Sequence, residues 1–73
     1  MVSKLNQIIN KPTATDREKV DELLFLDAQI YANLGTDSTS LERAVAKVNS
    51  ILIYEAIQKV DHSQGVEYLR LLK

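Results

Sequence analysis

The sequence predicts a small all-α protein. Apolar residues recur at helical spacing along most of the chain, and only two glycines and one proline interrupt that pattern. Two Thr-x-x-Glu motifs stand directly before the two longest segments of this kind, as helix-capping residues do. We therefore expect one helical domain over residues 1–73, a small helical bundle. Its two long helices, at about 15–34 and 40–60, are expected to form an antiparallel hairpin, with short helices at both ends.

The first expected element is a short N-terminal helix from Val2 to Asn10. It carries apolar residues at helical spacing: Val2, Leu5, Ile8 and Ile9. A helix this short is marginal in isolation, so it has to pack on another element. Pro12 disfavours helical geometry at the residue before it, which ends the segment.

The second helix begins with a capping box. Thr15 and Glu18 lie three residues apart, so that each side chain can bond to the backbone N–H of the other. The helix is expected to run to about Leu34. It should stop at Gly35, in the left-handed conformation that glycine adopts readily.

The third helix repeats this pattern, with Thr39 as the cap and Glu42 three residues later. It is expected to cover residues 40–60 and to be broken by the segment DHSQG that follows. A last short helix is predicted over residues 66–72.

The third helix is apolar over more than half of its circumference. One stripe consists of Leu41, Ala44, Val45, Val48, Ile51 and Leu52, and a second of Ala46, Ile53, Ile57 and Val60. A helix that is apolar this far round is covered from more than one side. We expect the terminal segments to cover the second stripe as far as they reach. Any apolar surface that they leave uncovered is expected to form an interface.

The phenylalanine of the second helix is a candidate contact residue. Phe25 lies on the polar side, beside Ala28 and Ala32, which leave room for a partner to approach. Aromatic anchors are enriched at interfaces, although chance exposure and burial under a terminal segment are competing interpretations. We predict these partner-binding residues: Phe25, Leu26, Ile53, Ile57, Leu71 and Leu72.

Two acidic residues interrupt the apolar faces. Asp27 falls in the middle of the stripe of the second helix, and Glu55 inside the first stripe of the third. A buried carboxylate needs a partner, so Asp27 lies either at the rim or in a hydrogen bond to a tyrosine or a backbone amide. A sharper hypothesis makes Asp27 and Glu55 buried polar residues that fix register or partner choice. A third hypothesis is that the two acids form a catalytic carboxylate pair. Such a pair needs a cleft, which the sequence does not indicate, so no catalytic residue is assigned.

Composition narrows the function classes. The formal net charge is −1, so the chain lacks the positive excess that binding to phosphates requires. It has no cysteine and only one histidine, His62, which excludes a disulfide framework and argues against a transition-metal site. No signal peptide and no membrane-spanning run is expected, which fits a cytoplasmic protein. No cofactor is expected.

We therefore expect a non-enzymatic protein–protein interaction module that acts as a small assembly subunit, an adaptor or an inhibitor of a larger protein complex. Its partner is expected to be a second copy of the chain or a larger protein, rather than nucleic acid or a membrane. The alternative is a helix-turn-helix-like nucleic-acid-binding regulator, because residues 30–44 share some of the spacing of that motif. Against it, the link before residue 40 is long, and Tyr31 is bulky where a small residue is usual.

Overall fold

The computed structural model describes residues 2–35 and 37–72, with side chains from Ser3 onward. This part of the chain contains four helices: α1 (Val2–Ile9), α2 (Asp16–Ala32), α3 (Ser40–Val60) and α4 (His62–Leu71). None of the described residues forms a β-strand, which confirms the all-α prediction. The side chain of Val2, the first apolar position predicted for the N-terminal helix, lies outside the described residues. None of the four helices combines the length and the hydropathy needed to cross a lipid bilayer.

Both predicted capping boxes are present. Thr15 and Thr39 each accept a hydrogen bond from the backbone N–H of the glutamate three residues later, at 3.2 and 3.1 Å. Each glutamate carboxylate in turn accepts the backbone N–H of its threonine. These bonds satisfy backbone N–H groups that have no partner inside the helix. Helix α3 begins and ends at the predicted residues.

Helix α2 ends two residues before the predicted position, and by a different device. The N–H of Asn33 donates to the carbonyl of Gln29, and the N–H of Leu34 to that of Tyr31, both at 3.1 Å. These bonds close the last turn without a left-handed residue. Gly35 has no positive φ, so the expectation of a left-handed glycine stop was wrong.

The break between α3 and α4 is one residue, Asp61, rather than the predicted DHSQG segment. Asp61 is extended, and its carboxylate accepts the backbone N–H of Gln64, so it caps α4 directly. Helix α4 therefore begins at His62, four residues earlier than predicted. Gly65 lies inside α4, where a Cβ atom would be 2.3 Å from the Cα of Gln58. This glycine permits the two helix backbones to approach closely.

Helix α3 is the central element and packs against each of the other three helices. The core lies between its C-terminal half and helices α1 and α2; it consists of Leu5, Ile8, Val20, Leu23, Ile53, Ala56 and Ile57. Leu23, Ile53 and Ile57 have no exposed surface. The second apolar stripe of α3 is therefore the one that the chain buries.

Candidate functional site

Two of the predicted partner-binding residues belong to the core. Ile53 and Ile57 are fully buried, in one cluster with Leu23 of α2 and Leu5 of α1. The prediction was wrong for these two isoleucines, because the short helix α1 and the face of α2 together cover the second stripe of α3. They have no surface to offer a partner.

The other four predicted contact residues differ in exposure. Phe25 is 63 % and Leu71 is 74 % exposed. Leu26 is half-buried and packs on the core, and Leu72 is half-buried beside a groove between α3 and α4. Phe25 follows the buried Leu23 by two positions, about 200° round the helix, so it points away from α3.

The main exposed apolar surface lies on the N-terminal half of α3. Leu41, Val45 and Val48 are 73 %, 51 % and 56 % exposed. Spacings of four and three residues place them on one helix face. We call these three residues the α3 stripe. The next apolar positions, Ile51 and Leu52, are half-buried because they adjoin α4 and α1, respectively.

A groove of about 440 Å³ between α3 and α4 continues this surface. Its walls are Lys47, Ile51 and Glu55 of α3, and Leu69 and Leu72 of α4. The three α3 residues are spaced by four, so they form one row along the helix, with Ile51 between two exposed, oppositely charged side chains. Because Ile51 lies three positions after the last residue of the α3 stripe, the groove and the stripe adjoin.

Glu55 is not the buried polar residue that the sequence predicts. It is exposed at the rim of the groove, where α4 leaves that side of α3 open to water. Asp27 lies instead in the seam between α2 and α3. The two carboxylates lie on different sides of α3, so they do not form a pair.

Asp27 is half-buried and accepts hydrogen bonds on both carboxylate oxygens. The Ser50 hydroxyl donates to Oδ1 at 2.5 Å, and the Tyr54 hydroxyl donates to Oδ2 at 2.6 Å. Tyr31 Oη lies 3.0 Å from Ser50 Oγ. Since the single proton of Ser50 goes to Asp27, the Tyr31 hydroxyl is the donor in this second bond. One carboxylate thereby fixes three hydroxyl groups, and the interpretation of Asp27 as hydrogen-bonded to a tyrosine is confirmed.

The network extends to α4 through an aromatic contact. The rings of Tyr54 and Tyr68 stack with centroids 5.3 Å apart and planes inclined by 25°. Burial, and then the hydrogen bond to Asp27 and its negative charge, raise the pKa of the Tyr54 hydroxyl well above its usual value. Tyr54 therefore stays protonated and remains a donor to Asp27 over the physiological pH range.

Sequence reasoning anticipated a tyrosine partner for Asp27 but identified neither Tyr54 nor Ser50, although a signal was present. Asp27 and Tyr31 are four residues apart on α2, and Ser50 and Tyr54 are four apart on α3. Residues at this spacing lie on one helix face. Two polar pairs with the same spacing, one on each of two helices, are the pattern that a shared network leaves in the sequence.

The described residues contain no group of three or more acidic, histidine or cysteine side chains placed to hold a metal ion. No protein-family model, no curated protein and no solved structure matches this chain. The apolar surface on α3 and the Asp27 network are therefore the two features from which a function can be inferred.

Proposed function

We propose that the chain is a non-enzymatic helical protein–protein interaction module that binds through the N-terminal half of α3. It would serve as a small assembly subunit, an adaptor or an inhibitor of a larger protein complex. The observation that carries this proposal is the α3 stripe: three branched aliphatic side chains on one helix face, each more than half exposed. Removing such side chains from water stabilises a complex by roughly 25 cal/mol per Å² of apolar surface.

The arrangement of exposed apolar residues favours this face over the others. Phe25 and Leu71 are also exposed, but they lie on α2 and α4, and single exposed apolar side chains are common in proteins. The three residues of the α3 stripe form a continuous row, and a mostly apolar groove adjoins it. A contiguous surface of this kind, with charged residues at its rim, is typical of an interaction site.

We also propose that α2 and α3 form an antiparallel hairpin. Two hydrogen bonds support this arrangement: Tyr31 of α2 bonds to Ser50 of α3, and Asp27 of α2 bonds to Tyr54 of α3. Asp27 precedes Tyr31 by four residues, whereas Tyr54 follows Ser50 by four. Residue numbers therefore fall along one helix as they rise along the other. The start of α2 also adjoins the end of α3, since Asp16 and Asp61 line one cavity.

We assign to Asp27 the role of fixing the register between these helices. Its carboxylate has two well-placed donors in the present register, one on each oxygen, and sliding α2 by one turn would move it out of reach of at least one of them. A half-buried carboxylate that loses a donor is less stable, so alternative registers are penalised. A fixed register pre-organises the face of α3, which lowers the entropic cost of binding.

The test compares two glutamine variants of the full chain. Val45→Gln with Val48→Gln removes the apolar character of the α3 stripe, and Phe25→Gln makes the same kind of change on α2. Both sites are exposed, so circular dichroism should show folded protein in each case. We expect association, measured as solution mass and as retention of co-purifying protein, to be lost in the first variant and kept in the second. Equal association in wild type and the stripe variant would overturn the proposal.

A further inference from the structure

We infer that the partner on this face is a second copy of the same chain, packed so that Lys47 of each copy faces Glu55 of the other. This inference rests on the proposed function, since it names the occupant of the groove that adjoins the α3 stripe, and the packing it describes includes Val48 of that stripe. It makes the protein a two-fold symmetric dimer in which α3 crosses α3.

The charge pattern of the groove is self-complementary. Lys47 lies four residues before Ile51, and Glu55 lies four residues after it. When two copies of a helix pack in opposite directions about Ile51, positions at equal distances before and after it come together. Each exposed lysine then meets an exposed glutamate, and the same contact forms twice.

The row geometry also suits a helix crossing. Side chains spaced by four residues form ridges inclined at about 26° to the helix axis, and two such sets align when helices cross at about 50°. Lys47, Ile51 and Glu55 form one ridge of this kind, and Ala44, Val48 and Leu52 form the adjacent one. The second ridge contains no charged side chain, so it can enter the furrow beside the first ridge of the other copy without burying a charge.

The balance of forces favours a copy of the chain as the occupant. The net charge of −1 gives two copies almost no mutual repulsion. The chain itself has a small core and gains from further apolar burial. Exposed ion pairs contribute about 0–1 kcal/mol each, so the two Lys47–Glu55 contacts select the partner and its orientation, and the apolar ridges supply most of the affinity.

The test is a charge-exchange experiment on the full chain. Lys47→Glu places glutamates at both rim positions, and Glu55→Lys places lysines at both; each site is exposed, so both variants should fold. Sedimentation equilibrium from about 5 μM to about 1 mM covers the range expected for a small interface. We expect wild type to dimerise and each variant alone to dimerise about tenfold or more weakly, because like charges meet at both contacts.

An equimolar mixture of the two variants separates this arrangement from other dimers. In the mixed pair every glutamate at the rim faces a lysine, so a heterodimer should form with an affinity close to that of wild type. Native mass spectrometry with one variant isotope-labelled identifies it, and Phe25→Gln serves as the unaffected control. A wild-type dimer whose charge variants show neither weakening nor recovery on mixing would overturn the inference.

The same measurements distinguish this inference from the proposed function. Suppose wild type keeps the mass of one chain throughout, while a captured protein is lost in the Val45→Gln, Val48→Gln variant. The dimer hypothesis is then refuted, and the proposal that this face binds another protein is kept. If that variant changes neither self-association nor capture, both proposals fail.

Discussion

The two halves of α3 carry similar aliphatic residues but are covered very differently. Ile53 and Ile57 in the C-terminal half have no exposed surface, whereas Val45 and Val48 in the N-terminal half are more than half exposed. The short helices α1 and α4 account for the difference: α1 adjoins α3 at Leu52 and later positions, and α4 ends beside Ile51. The apolar composition of a helix thus indicates how much of its surface is favourably buried. Which part is buried within the chain depends on how far the neighbouring helices extend along it.

The sharpest test of this contrast is a pair of alanine substitutions. Ile57→Ala should lower the free energy of unfolding by about 2–5 kcal/mol, because it leaves a cavity in the core. Val48→Ala should change it by less than about 0.5 kcal/mol, because that side chain is mostly in water. Urea unfolding followed by circular dichroism measures both. If Ile57→Ala is unfolded without urea, Ile57→Val should still give a measurable loss of about 0.5–1.5 kcal/mol. Equal losses at the two positions would refute the contrast.

The two glycines offer a matched test of how α4 is held against the C-terminal half of α3. Gly65→Ala places a methyl group against the backbone of Gln58, so we expect a loss of about 1–3 kcal/mol. Gly35→Ala is the control: its nearest neighbour would be 3.9 Å away and its φ is not positive. That substitution should be neutral or stabilising by up to about 1 kcal/mol. Thermal unfolding in which both variants behave alike would argue against the close approach.

The polar network lies where α3 passes from its exposed half to its covered half. Asp27→Ala leaves the hydroxyl groups of Ser50 and Tyr54 without their acceptor, and Ser50 is fully buried. We expect a loss of about 1–3 kcal/mol in urea unfolding. Gln29→Ala on the exposed side of the same helix is the control and should stay within about 0.5 kcal/mol of wild type. No difference between these two variants would remove the register role assigned to Asp27.

Local signals in the sequence accounted for the helices more fully than for the site. The capping boxes at Thr15 and Thr39 are short-range patterns, so they gave the starts of α2 and α3 correctly. The start of α4 was missed because Asp61 acts both as the end of one helix and as the cap of the next. Gly65 was interpreted as a helix-breaking residue, because a close contact between two helices cannot be recognised from the neighbouring sequence alone.

The choice between the two stripes of α3 depended on tertiary packing. Both stripes have helical periodicity, and periodicity does not say which one faces α2. The structure buries Ile53 and Ile57, which were predicted to contact a partner, and exposes Val45 and Val48, for which no contact was predicted. The surplus apolar surface itself is present, at the other end of the helix from where it was expected.

Alkaline pH should weaken the Tyr54 contact. The folded chain holds the pKa of Tyr54 above its usual value of about 10, so the unfolded chain loses this proton first. The stabilisation is complete below about pH 10 and is lost as the pH rises toward the folded-state pKa. The difference in unfolding free energy between wild type and Tyr54→Phe should therefore shrink as the pH rises from about 10 to about 11. A constant difference over that interval would contradict the raised pKa of Tyr54, which burial and the contact with Asp27 produce.

The smallest expected effect on stability comes from the α3 stripe, and it depends on protein concentration. At low concentration Val48→Gln should lie within about 0.5 kcal/mol of wild type, since the side chain is largely hydrated in the lone chain. If a second copy covers this face at high concentration, as proposed, mass action should raise the Tm of wild type. The variant should gain less, because a buried amide has to lose its water. Phe25→Gln should follow wild type at both concentrations, since its side chain points away from α3. Thermal unfolding at several concentrations therefore separates a surface exposed by chance from one that a second molecule covers.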